Sequence, residues 1–258
     1  MVKQVHNDDV HTPANVGQSP PATSTLTPDR VDVWWVSLDQ PLPAVQRCAQ
    51  ILSADERARA ARFHFERDQQ RFTLARGNLR RILARYLGVA AQTIQFHYNT
   101  YGKPGLEAAV YPVTPQFNLS HAGNLAIYAV TTERAVGIDI EQMRPITDFS
   151  QLVERFFSVQ EYTQFRLLPE QRWLAAFFAG WTRKEAYIKA RGSGLTLPLN
   201  QFDVTLNPDE PARLLRIQGD PHTAARWILR DLAVEPGYVA ALAVEGQGWN
   251  LACRQAPE

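Results

Sequence analysis

Six residues, Val136-Gly137-Ile138-Asp139-Ile140-Glu141, alternate so regularly that an extended strand is the natural fit. In a strand, positions i and i+2 share a face, so Asp139 and Glu141 point one way and Ile138 and Ile140 the other. Further on, Trp181-Thr182-Arg183-Lys184-Glu185-Ala186-Tyr187-Ile188-Lys189 carries a helical period. Leu174, Phe178, Trp181, Glu185 and Ile188 fall within an arc of roughly 80° at 100° per residue. A carboxylate in that apolar stripe is aimed at the core or at a cleft, and burying it unpaired costs several kcal/mol. An i,i+4 pair with Lys189 contributes only about 0.3 to 0.5 kcal/mol on a surface, too little to offset burial. A hard divalent cation shared with Asp139 and Glu141 would do so. Taken alone, Asp139 and Glu141 fit a solvated strand face equally well.

The chain has 258 residues, enough for one large domain or two small ones. Net charge is +1, so no whole-molecule field favours nucleic acid. Two cysteines, Cys48 and Cys253, argue against a disulfide scaffold and fit a reducing, cytoplasmic setting. No apolar run approaches the roughly 18 residues of a membrane span, and no secretory signal is visible. Residues 1–29, rich in Pro, Thr, Ser, Asn and Asp, read as a flexible leader. Strands are expected at 31–36, 94–98, 117–120, 125–130, 135–141, 202–206, 227–232 and 238–244. Helices are expected after Ser53, over 68–86, over 149–157, after Ser158, and from Pro169 to Arg191 with Gly192 as the stop. The class is α+β, with an N-terminal lobe over 30–134 and a C-terminal lobe over 135–258.

Other residues carry less specific signals. Ser158-Val159-Gln160-Glu161 has the form of a capping box, which gives Glu161 a structural task ahead of any catalytic one. Between Asp55 and Arg85 stand Arg57, Arg59, Arg62, Arg67, Arg71, Arg76, Arg80, Arg81 and Arg85. Most fit a solvated helix face, and a few suit phosphate, because guanidinium forks match phosphate oxygens. Lys103, in a Gly-Lys-Pro turn, reads by default as an exposed turn lysine. Phe117-Asn118-Leu119 reads as core strand. Ser120 and His121 are adjacent on a strand and point to opposite faces, so they make a poor catalytic dyad and are better suited to contacting phosphate. Zinc spacing, a Walker A loop and a Gly-x-Gly-x-x-Gly fingerprint are all missing from the sequence.

Taken in order, Gly102-Lys103-Pro104, Phe117-Asn118-Leu119-Ser120-His121-Ala122-Gly123, Val136 to Glu141, Phe156-Phe157-Ser158-Val159-Gln160-Glu161-Tyr162 and Trp181 to Lys189 with Gly192-Ser193-Gly194-Leu195 resemble the 4′-phosphopantetheinyl transferases, in their larger single-chain type. The resemblance covers about residues 53–205. It implies two similar lobes in pseudo-twofold arrangement, each with a small antiparallel sheet packed on helices. It also implies transfer of the 4′-phosphopantetheine arm of coenzyme A, the co-substrate, to a serine of an apo acyl or peptidyl carrier protein. By the resemblance, Asp139, Glu141 and Glu185 would be Mg2+ ligands. Arg71, Arg76, Lys103, Ser120, His121 and Lys189 would contact coenzyme A, with Arg59 and Arg62 as further basic positions. Glu185 is the first choice of base, Glu161 the second, and Lys189 balances charge on the departing phosphate. Segment 148–178, with Phe149, Phe156, Phe157, Phe165 and Phe177, offers apolar residues beyond what one helix face needs: most read as core, with one or two left for a patch that docks a carrier. The expected protein is a monomer that needs neither nucleic acid nor membrane. The alternatives are a magnesium-dependent phosphodiester hydrolase and a non-catalytic carrier-binding module.

Overall fold

Val31, Val33 and Trp34 bury the first strand, β1 (Arg30–Ser37), and the chain then alternates helices and hairpins. The computed structural model describes residues 26–107, 110–111, 114–192, 194–220 and 222–256. Residues 1–25 of the expected leader and Ser193 of the expected turn lie outside the described residues. After β1 come α1 (Leu42–Ile51), α2 (Ala54–Ala60), α3 (Glu66–Leu87), β2 (Phe96–Tyr98), β3 (Pro104–Leu106), β4 (Gln116–Ala122) and β5 (Leu125–Thr131). The second half holds β6 (Val136–Gln142), α4 (Phe149–Phe156), α5 (Val159–Leu167), α6 (Trp173–Arg191), β7 (Phe202–Val204), β8 (Leu214–Ile217), β9 (Trp227–Leu232), β10 (Tyr238–Glu245) and β11 (Asn250–Gln255).

The fold is α+β, with a long helix laid on a small sheet in each lobe. One sheet has the order β11-β1-β5-β4, the other β6-β10-β9. Helix α3 packs Leu74, Leu79, Ile82 and Leu83 against Trp34, Phe117 and Tyr128 of the first sheet. Helix α6 packs on the second, against Ala241 and Ala243. The opposite faces of the two sheets meet in a third cluster, where Val33 and Ile127 face Ile138, Ile140 and Leu242. The layers therefore run helix, sheet, sheet, helix. Strand alternation decides the placement along β6: its isoleucines enter the core between the lobes, and Gly137 and Asp139 face α6.

The strand β11 departs from the expected division at residue 135. It returns from the second lobe and pairs in parallel with β1, Val31 opposite Leu251 and Val33 opposite Cys253. Its sequence, Asn-Leu-Ala-Cys-Arg-Gln, holds no β-branched residue, so it gave no strand signal. Strand β3 was hidden for a related reason, since Pro104 and Gly105 are poor strand residues. Helix α1 and strand β8 were also unmarked in the sequence. Pro169 opens a short 3-10 turn over Glu170–Arg172, and α6 begins only at Trp173.

Both lobes use the same anchoring device. Ser53 and Glu56 cap α2 reciprocally, as Ser158 and Glu161 cap α5. Each glutamate is buried and receives cations from its lobe's long helix. Glu56 takes Arg76 at 2.7 Å and Arg80 at 2.6 Å from α3, and Glu161 takes Lys184 at 2.7 Å from α6. Losing one partner of such a buried pair costs about 3 to 5 kcal/mol, because the other charge is left uncompensated.

Helix α6 touches β6 at Gly137. A methyl group there would stand 2.0 Å from the Ala186 carbonyl oxygen and 2.2 Å from the Ala190 nitrogen, both main-chain atoms that cannot swing aside. Gly137→Ala is therefore expected to destabilise the protein by about 1 to 3 kcal/mol or more, the usual cost of overpacking. Urea denaturation read by tryptophan fluorescence would show it as a lower midpoint.

Candidate active site

The Gly137 contact brings the last turns of α6 over the acidic face of β6. Lys189 Nζ lies 2.5 Å from Asp139 Oδ1 and 2.9 Å from Ser120 Oγ. The Ser120 hydroxyl donates to Asp139 Oδ1 at 2.9 Å. Asp139 is only 3% exposed, and its Oδ2 is buried with no hydrogen-bond partner. An orphaned, buried carboxylate oxygen marks a place where a donor or a cation is wanted.

Burial raises the Asp139 carboxyl above the ordinary aspartate value, against the pull of Lys189. Burial and then the charge of Asp139 raise Glu141, and the same two causes raise Glu185. The three acids thus repel one another. They do not stand as a closed cage: among the described residues no three His, Cys, Asp or Glu side chains are gathered for a metal ion. With the Lys189 ammonium on Oδ1, Asp139 already has one counter-charge, and a second cation would find Oδ2 free. Hard oxygen donors in a partly dry setting are the donor set a small divalent cation takes. Trp181, edge-on to Phe156 and stacked on Phe177, lies close enough to the Glu141 carboxyl to oppose part of that rise.

Cationic groups rim the acids. His121 is exposed while Ser120 is buried, so the two do point apart as strand geometry requires. Partial desolvation, then the positive charges of Lys189, Arg71 and Arg59, hold the His121 imidazole below its usual value. Beside this rim a groove of about 260 Å³ is lined by Lys103, Asn118, Leu119, Glu185, Ile188 and Lys189, among others. Lys103 is not the exposed turn lysine expected. Its Nζ donates to the Lys189 carbonyl at 2.7 Å and the Val136 carbonyl at 3.2 Å, and desolvation lowers its pKa to about 8. Asn99 shapes the same turn, accepting from the amides of Tyr101 and Lys103 and donating to the Gly192 carbonyl at 2.8 Å. A larger cavity of about 620 Å³ is lined by Arg134, Arg226 and Glu245, where Arg226 pairs with the Glu245 carboxylate and Arg134 donates to the Glu245 main-chain carbonyl.

Two expected site residues are placed elsewhere. Glu161 is 1% exposed, and its oxygens are taken by the Ser158 amide, the Val204 amide and Lys184. It is a structural carboxylate with no lone pair directed at a substrate, which removes it as second-choice base. Arg76 is buried on Glu56, bonds Tyr98 and stacks over Phe96, so it is no ligand for coenzyme A. Arg80 is buried in the same network, and neither arginine belongs to the solvated face expected of that run. Phe149, Phe156, Phe157, Phe165 and Phe177 all pack in or against the second lobe's core. The exposed apolar residues of that segment are Val159 and Leu167. Sequence reasoning missed Gly137, Trp181 and Lys184. Lys184, one residue before Glu185, is turned about 100° from it around the helix, the available sign that it leaves the cleft.

Two family models match the chain: the 4′-phosphopantetheinyl transferase superfamily over residues 135–243, and the 4′-phosphopantetheinyl transferase N-terminal region over 39–133. The 4′-phosphopantetheinyl transferase HetI of Nostoc sp. is 44% identical over 230 residues, 89% of this chain and 94% of that protein. A putative 4′-phosphopantetheinyl transferase of Synechocystis sp. is 35% identical over 76% of this chain and 77% of its own length. Sfp of Bacillus subtilis is 29% identical over 81% of this chain and 90% of its own length. Read with the paired acids and lysine at the lobe junction, these matches show that the chain belongs to the 4′-phosphopantetheinyl transferase family.

Proposed function

We propose that this protein transfers the 4′-phosphopantetheine arm of coenzyme A to a serine of an apo acyl or peptidyl carrier protein, with adenosine 3′,5′-bisphosphate as the other product. The observation that carries the reading is the buried Asp139, with one oxygen on Lys189 and Ser120 and the other unpartnered, beside a groove and a basic rim.

Each residue has a task that follows from its surroundings. Asp139, Glu141 and Glu185 would hold Mg2+, which when bound supplies a Lewis acid toward phosphoryl oxygens. Lys189 sits where it can balance negative charge on the nucleotide phosphate as the bond to the pantetheine phosphorus breaks. Ser120 keeps Lys189 and Asp139 in register by bonding both. His121, held toward the neutral form, offers a ring N–H to phosphate, and Arg71 and Arg59 add charge at the same rim. Glu185, on the groove wall, is the carboxylate that takes the proton from the carrier serine. Lys103 serves coenzyme A from the groove wall, where two of its three donors are already engaged. Both lobes come from one chain, so a monomer working in the cytoplasm supplies the whole cleft. No described helix is long and apolar enough to cross a membrane.

Incubation with coenzyme A, Mg2+ and an apo carrier is expected to yield the pantetheinylated carrier by mass spectrometry, and a chelator to prevent it. Nucleotide released at the same rate without any carrier would instead make the protein a hydrolase.

The burial of the acids, with the charge of Asp139 beside the other two, has a signed consequence for stability. Their pKa values are raised in the folded state. Between the unfolded value, about 4, and the raised one, the folded protein holds protons that the unfolded chain has released. Stability therefore falls as pH rises through that window, and the penalty is complete above it. Glu185→Gln removes one of the charges. At pH 7 without Mg2+ its thermal midpoint is expected to rise by about 2 to 4 °C, while transfer falls about 100-fold or more. Mg2+ should raise the midpoint of the wild type and leave that of Glu185→Gln almost unmoved in calorimetry.

A further inference from the structure

Strands β4 and β6 face each other across the lobe junction, and among the described residues no backbone ladder joins them. Side chains of β4 fasten the two instead: the Ile138 amide donates to Asn118 Oδ1 at 2.9 Å, and the Ile140 amide donates to Ser120 Oγ at 3.4 Å. A third fastening of this kind lies outside the sheets, where α6 ends. The last carbonyls of a helix have no partner within it, and an end without donors frays. Lys189 stands in that last turn, just before the Gly192 cap. The Gly192 amide closes back on the Ile188 and Lys189 carbonyls, both at 3.2 Å. Further donors come from the first lobe: Lys103 Nζ reaches the Lys189 carbonyl at 2.7 Å, and Asn99 Nδ2 reaches the Gly192 carbonyl at 2.8 Å. A cation suits this negative end of the helix.

Asn99 also makes the turn that delivers Lys103. Its Oδ1 accepts from the Tyr101 and Lys103 amides, each at 2.9 Å, and its own amide donates to the Lys103 carbonyl at 3.1 Å. Two N–H donors on one side and a carbonyl on the other leave the carboxamide a single orientation, oxygen to the turn and NH2 to α6. Asparagine is common in turns for the first task alone. The bond to Gly192 serves no turn: it crosses from the first lobe to the helix that carries Lys189.

We propose that Asn99 is a positioning residue for Lys189: it caps α6 from the opposite lobe, so that the last helical turn holds the Lys189 ammonium on Asp139 and Ser120. This rests on the transferase reading, in which Lys189 balances charge as the bond to the departing nucleotide breaks. Lost alignment of Lys189 therefore shows in kcat. The groove wall at Lys103 depends on the turn, so a loosened turn shows in KM for coenzyme A.

Two variants separate the cap from the turn. Asn99→Ser keeps a short acceptor for the turn amides and is too short to reach α6. Asn99→Ala removes both. For Asn99→Ser, kcat is expected to fall about tenfold, the effect of one lost hydrogen bond, with KM for coenzyme A within about threefold. For Asn99→Ala, kcat should fall as far and KM should rise as well. In both, hydrogen exchange at the Gly192 amide should quicken about tenfold. Asn99 is exposed, so the thermal midpoint should stay within about 4 °C of wild type. The proposal is overturned if Asn99→Ser keeps the wild-type kcat, if only KM moves, or if exchange at Gly192 stays at the wild-type rate in both variants. Wild-type protein that modifies no carrier would sink the transferase reading, and exchange at Gly192 in the variants would still decide the cap.

Discussion

The contact of α6 with β6 at Gly137 is the constraint on which the rest of the site depends. Helix and strand approach until their main chains touch, closer than any side chain on the strand would allow. That distance lets a lysine on α6 reach an aspartate on β6 and a serine on β4, so that three elements from both lobes share a few hydrogen bonds. A wider spacing would leave the same residues in the sequence and no site in the molecule. The glycine is needed for close approach alone. It has no positive φ and forms no turn, which explains why nothing in the local sequence marks it.

Around that contact the protein separates its charges by task. Arg183 and Lys184, fully buried on α6, are spent on holding the second lobe: Arg183 on Asp231 and the 205–210 loop, Lys184 on Glu161 and the carbonyls of Leu199 and Phe202. Glu185 and Lys189, on the other side of the same helix, are left for the cleft. The first group is fully satisfied and rigidifies the frame. The second is not: burial raises the proton affinity of all three acids, Asp139 adds to that of the other two, and one carboxylate oxygen has no partner. The frame's stability carries this local cost, the usual relation between a fold and a working site.

The two lobes express one plan in different residues. A capping-box glutamate turned inward and met by cations from the long helix appears as Glu56 with Arg76 and Arg80, and again as Glu161 with Lys184. Part of this was legible. Both Ser-x-x-Glu boxes, the long helices ending at Gly88 and Gly192, and the strands β4, β5, β6, β9 and β10 follow from local pattern. The inward turn of the two glutamates was not legible, because a capping box is satisfied by its own backbone and gives no sign of what else its carboxylate meets. Arg76 and Arg80 were hidden for a similar reason. In a run of nine arginines, spacing cannot tell the buried from the solvated.

By itself the sequence determined the alternation that sets Asp139 and Glu141 on one face, the helical stripe that turns Glu185 inward, and the ordered motifs that resemble one enzyme family. These are local, and a strand or helix of any context would keep them. Only the tertiary structure decided that Lys189 bonds Asp139 rather than Glu185, that Lys103 ties a turn of the first lobe to the end of α6, and that β11 completes the first sheet. It also decided that Asn118 and Ser120 replace a backbone ladder between the sheets. Each of these joins residues far apart in the chain, and their distances are fixed by how helices and sheets pack, which no local periodicity encodes.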